Sequence, residues 1–146
     1  MRTLATFQST AFNTTKPKAY FINRGCYGDD ARLWLMSRLR AAGVATDPEP
    51  GQEDFGWYFN LTVPEGRHCC VLGLRPASDG DPETWITWME RRRAILGSIL
   101  GGRTRGISST AVSAIHQALS APEILGLRCH DKGEFDRGQE QGPLPP

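Results

Sequence analysis

Two adjacent carboxylate pairs, Asp29-Asp30 and Glu53-Asp54, are the first residues with the types and spacing for chemistry. Carboxylates at element ends, with water, are what a hard divalent cation takes as ligands. The same pairs would serve as general acid and base if burial raised one of their pKa values. Each also has a structural reading. Asp29 fits an N-cap, and Asp54 before Phe55-Gly56 fits a turn.

The cysteines and histidines offer less. His68-Cys69-Cys70 and Cys129-His130 contain zinc-ligand types, but no C-x₂₋₄-C pair exists. Neighbouring residues of a strand face opposite sides, so Cys69 and Cys70 would not readily share an ion. Buried thiols acting as small apolar residues are expected instead. Cys26, ahead of a helix N-terminus, is the candidate nucleophile, with His68, His116 or His130 as its base. No cofactor is implied.

The third set is charge. Residues 47–54 hold Asp47, Glu49, Glu53 and Asp54 with no base, a local charge of −4. Residues 90–105 hold Arg91, Arg92, Arg93, Arg103 and Arg105 against Glu90, giving 5 − 1 = +4. Either patch could face a protein partner or a second copy. Trp85 and Trp88 lie near the arginines, where they could stack on bases. A formal net charge of +1 supplies no wider field, so nucleic acid is disfavoured as a partner. The glycines of 97–106 match neither GxxxxGK[ST] nor GxGxxG.

The elements that must position these residues follow from periodicity. Ala31, Trp34, Leu35, Leu39 and Ala42 mark a helix over 29–42 that ends at Gly43, while Arg32 and Arg40 fall away from the stripe. Phe55, Trp57, Phe59, Leu61 and Val63 alternate, predicting a strand over 55–63 with one buried face. Residues 68–74 and 84–89 predict two more strands. Ala19–Ile22 and 124–129 are short strand candidates, and 109–120 is a helix capped by Ser108 or Ser109. The prolines and acids of 46–53 predict an exposed loop with no regular element. Residues 90–106 are open between helix and strand, and 131–146 reads as a flexible tail.

The predicted fold is therefore one α+β domain over 1–130. It has an antiparallel sheet of four to five strands, with two or three helices on one face. The segments GDDxxxWLxxxLxxxG (28–43) and EDFGW (53–57) resemble a group of small uncharacterised bacterial proteins. The resemblance spans about residues 26–93. It implies the fold and a bacterial origin, and it carries no activity and no site residue.

With 146 residues, 39% of them hydrophobic, the chain is long enough for one real core. It has no apolar run long enough to cross a membrane and no apolar leader core, so a cytoplasmic location without membrane partners is expected. Four Trp, three Tyr and six Phe beside opposite charge patches favour a non-catalytic protein-interaction domain. The alternatives are a small metal-dependent or hydrolytic enzyme using Asp29, Asp30, Glu53 and Asp54, and nucleic-acid binding through Arg91–Arg105.

Overall fold

Strong alternation places the central strands. In the computed structural model, which describes residues 1–91 and 106–138, the expected three are Gly56–Val63 (β4), Gly66–Arg75 (β5) and Thr84–Arg91 (β6). They pair antiparallel, with Phe59 opposite Cys70 and Cys70 opposite Met89. Side chains on a strand alternate faces, so this register collects Phe59, Leu61, Cys70, Leu72, Trp85 and Met89 on one side. Leu4–Gln8 (β1) pairs with β6 and adds Ala5 and Phe7 to that side. Leu125–His130 (β7) pairs with β1 and closes that end of the sheet.

Two helices cover this apolar face: Asp29–Ala41 (α1) and Ser109–Leu119 (α2). α2 buries Ala111, Val112, Ile115, Ala118 and Leu119, the stripe its spacing predicts. The Ser108 hydroxyl caps it by accepting from the amides of Thr110 and Ala111. Arg38 of α1 donates from Nε to the Ala118 carbonyl at 2.7 Å, joining the two helices. A short helix, Lys132–Asp136 (α3), follows β7 inside the expected tail. Its Phe135 ring lies 5.4 Å from His130, which faces the other side of the sheet. The rest of that expected tail, 139–146, lies outside the described residues.

The α+β class is as read from the sequence, but among the described residues the sheet has seven strands rather than four or five. Two of the additional ones lie where prolines argued for loop. Ala45–Thr46 (β2) and Gly51–Glu53 (β3) both pair with β4, on one edge of the sheet. Pro48 and Pro50 fall between them, where no ladder amide is required. Ala19–Ile22, in contrast, forms no strand. The expected Asp29 cap is also displaced. Gly28 is the N-cap, and Asp29 is the first helical residue. Residues 92–105 of the ambiguous stretch lie outside the described residues.

Two motif glycines have physical reasons. Gly28 has φ 126°, and a Cβ there would sit 3.3 Å from both Trp57 and Trp85. A Cβ on Gly56 would meet the Leu72 carbonyl oxygen at 2.3 Å, so only glycine lets β4 start against β5.

The helix α1 carries the largest departure from its sequence reading. Arg32, expected at the surface, is completely buried between helix and sheet. Its guanidinium donates to the Cys70 carbonyl at 2.5 Å and to the Trp57 carbonyl, and it stands 4.9 Å from the Phe59 ring centroid. Among the described residues no carboxylate pairs with it, and its Nε has no partner. Burial pushes its pKa down to about 10, outweighing the nearby Cys70 and Cys69. A base with a lowered pKa holds its proton less readily folded than unfolded, so burial of this charge costs on the order of 3 kcal/mol. Carbonyl dipoles and the Phe59 ring offset that cost, and the long side chain fills core volume.

Volume and charge separate by substitution. Arg32→Ala should lower unfolding free energy by roughly 2–5 kcal/mol, because it leaves a cavity in the core. Arg32→Met keeps most of the volume and removes the buried charge, so it should cost about 1 kcal/mol or less in urea titrations. Equal losses in the two variants would show that the carbonyl hydrogen bonds, not the volume, hold this joint.

Candidate interaction corner

Between β1 and α1 run twenty residues, 9–28, without regular secondary structure. Connections of that length in a small domain are uncommon and are usually functional or disordered. This one is a strap closely tied to the molecule. Phe12 anchors its first part in the main core, 5.4 Å from Trp34 and 5.8 Å from Trp85. Phe21 and Cys26 then pack with Trp57 in a second, smaller apolar cluster. The Trp57 indole donates to the Cys26 carbonyl at 2.8 Å.

The strap meets the turn that opens β4. Asn23 donates to the Asp54 carbonyl at 3.0 Å, and the Cys26 thiol donates to the Glu53 carbonyl at 3.4 Å. The Gln52 amide, oriented to satisfy both neighbours, donates to the Tyr20 carbonyl at 3.0 Å and accepts from the Ile22 amide at 2.8 Å. It thereby stands in for a peptide group beside β3. Three large apolar residues of the strap and the turn are left more than half exposed: Tyr20 at 58% and Ile22 at 56% on the strap, and Phe55 at 60% on the turn, with its ring 5.9 Å from that of Trp88. Glu53 and Asp54 are exposed between them, and Glu49 is exposed on the neighbouring loop.

Asp29 latches the strap to α1. One of its oxygens, Oδ2, accepts from Lys18 Nζ at 2.8 Å and from the Tyr20 hydroxyl. Burial by itself pushes the Asp29 carboxyl up. Hydrogen bonds from Lys18, Tyr20 and the Asp30 amide outweigh it and hold the carboxyl below the ordinary aspartate value. The same hydrogen bond to Asp29 raises the pKa of Lys18 and of Tyr20. Asp30 points elsewhere, accepting the Asn13 amide at 2.8 Å.

Asp47 is likewise used inside the chain. Its Oδ2 accepts from the Asn60 amide and side chain at 3.1 and 2.5 Å, and its Oδ1 pairs with Arg67 at 2.7 Å. Burial raises its carboxyl, and the Asn60 and Arg67 hydrogen bonds bring it below the usual value. Arg91 donates to the Gly106 carbonyl at 2.8 Å. Arg92, Arg93, Arg103 and Arg105 lie outside the described residues. Trp85 is 1% exposed in the main core, which removes it from base stacking, while the Trp88 indole donates to Glu90 at 3.1 Å.

The types of a hydrolytic triad meet once, at the start of α2, but the wiring does not permit that chemistry. The Ser108 amide donates to His68 Nε2 at 3.0 Å, so His68 carries its proton on Nδ1 and donates to the Gly66 carbonyl at 3.1 Å. The Nε2 lone pair is thus occupied and takes no proton from the Ser108 hydroxyl. Glu65 accepts from Thr110 at 2.6 Å, a bond that with Ser108 holds its carboxyl below the usual value. The histidines offered as bases for Cys26 are placed elsewhere. His68 is committed as described, His130 bonds Thr6 at 2.8 Å, and His116 lies on α2. Cys70 is buried beside Thr87 and Cys129 is buried too; burial pushes both thiols up.

Among the described residues no group of three or more His, Cys, Asp or Glu is placed to hold a metal ion. Among them, too, no helix is long and apolar enough to cross a membrane. No family model, curated protein or solved structure matches the chain.

The latch has a pH signature with a definite sign. A carboxyl held below its unfolded value stabilises the fold above that value and ceases to do so as pH falls through the folded one. Unfolding free energy should therefore drop as pH falls below about 4, where free aspartate titrates. Asp29→Asn should lose roughly 1–3 kcal/mol at pH 7 and flatten the acid limb. An acid limb unchanged in slope would remove Asp29 as its source.

Proposed function

We propose that the chain is a non-catalytic protein-interaction domain whose recognition surface is the corner formed by Tyr20, Ile22, Phe55, Glu53 and Asp54. One observation carries the reading. Tyr20 and Ile22 stand more than half exposed on the strap, Phe55 stands so on the turn before β4, and hydrogen bonds tie strap and turn together. Exposed apolar residues rimmed by charge mark contact surfaces. Holding them in place beforehand reduces the ordering cost of association.

The charge at the corner favours one kind of partner. Glu49, Glu53 and Asp54 are exposed there against one base, Arg24, and Lys18 is already paired with Asp29. The complement is a protein surface carrying basic and apolar side chains. The enzyme alternative draws little support. Asp29 and Asp30 are engaged in different internal contacts, and the Ser108–His68 pair is wired for capping.

Photo-cross-linking tests this directly. A benzophenone amino acid replacing Phe55, in cells that naturally express the chain, should give discrete adducts. Glu53→Ala/Asp54→Ala in the same chain should abolish them. The same probe replacing Gln117, exposed on α2, is the control. Adducts equally strong from both positions, or none from position 55, would overturn the proposal. An adduct of twice the chain mass would identify the partner as a second copy.

A further inference from the structure

The bonds that hold the strap differ in kind from those that hold the sheet. Among the described residues, the backbone–backbone hydrogen bonds of 18–27 stay within the strap: Phe21 to Lys18, Cys26 to Asn23 and Tyr27 to Gly25. Every bond from 18–26 to the rest of the molecule described above uses a side chain at one end. The strap can therefore leave without breaking a ladder bond. Its apolar contacts are also separable, because Phe21, Cys26 and Trp57 form a second cluster that meets the main core through Tyr27, outside the segment. Both ends of the segment are fixed. Phe12 is seated in the main core on one side, and Gly28, with φ 126°, precedes α1 on the other.

We propose that residues 18–26 are a lid that opens as a unit from Trp57, with the Asp29 carboxylate as its latch, while the sheet and α1 stay folded. Opening releases Lys18 and Tyr20 from Asp29 and uncovers Cys26 and the Trp57 indole. Local openings of this kind cost less than global unfolding because they break few contacts. The lid also carries Tyr20 and Ile22, so opening disassembles the corner. On the interaction reading above, on which this coupling rests, a partner that binds the closed corner holds the lid shut.

Cysteine alkylation resolved by peptide mass tests the lid without any partner. Cys26 is the last residue of the lid and is buried against Trp57 while the lid is shut, whereas Cys70 and Cys129 are buried in the main core and report global unfolding. In the full chain under native conditions, iodoacetamide should label Cys26 faster than Cys70 or Cys129. Asp29→Asn should raise the Cys26 rate by about tenfold or more, with the other two unchanged. Tyr20→Phe removes one donor and keeps the ring, so it should raise the Cys26 rate by less. A Cys26 rate unchanged in both variants, or rising only in step with Cys70 and Cys129, would overturn the lid. Selective Cys26 labelling without cross-links at position 55 would leave the lid standing and remove the interaction reading.

Discussion

At the joint between α1 and the sheet sits a buried cation that no carboxylate pairs with among the described residues. Arg32 reaches the carbonyls of Trp57 on β4 and Cys70 on β5 and is wholly shielded from water. A buried charge tolerates little displacement, because its few hydrogen bonds carry the whole of its solvation. The depth and rotation of α1 against the sheet are thereby fixed. Asp29 lies three residues earlier on the same helix, so Arg32 also sets where the strap's latch stands. The Trp57 carbonyl accepts from Arg32, while the Trp57 side chain is the floor of the strap's apolar cluster. The corner with its exposed aromatics is thus built outward from one guanidinium.

The polar groups with the chemistry for catalysis are largely spent on architecture. Asp47 organises the acidic loop through Asn60 and Arg67, and Arg40 binds the same loop's Asp47 and Pro48 carbonyls. His68 and Ser108 close the start of α2. The turn 53–55 exposes apolar and acidic side chains, and the strap exposes Tyr20 and Ile22 beside Lys16, Lys18 and Arg24.

The sequence made the regular parts legible. Period-two alternation from Trp57 to Val63 and the Val112, Ile115, Leu119 stripe are imposed by burial on one side, and burial is what periodicity reports. Short edge strands escaped because pairing on one side asks little of sequence. β2 is two residues long, and its partner supplies the order. Arg32 was misplaced for a definite reason. It lies three before Leu35 and four before Met36, within the buried stripe, and its charge alone argued for the surface. The strap was missed because its order comes from side-chain tethers that have no period. The available signal was its length. Its twenty residues include Ala19–Ile22, whose apolar run argued for a strand, and a connection that long is uncommon in a small domain. Asp29 and Asp30 were read as a pair, but helix geometry turns adjacent side chains about 100° apart, and they serve different partners.

The most direct measurement is nitrogen-15 NMR of the arginine side chains at neutral pH. Arg32 should show separate, slowly exchanging Nη protons, with scalar couplings across the hydrogen bonds to the Trp57 and Cys70 carbonyls. Those signals should persist in Asp29→Asn, where the strap is loosened but the joint is not. A single averaged guanidinium signal for Arg32, exchanging with water as fast as that of exposed Arg67, would contradict the account.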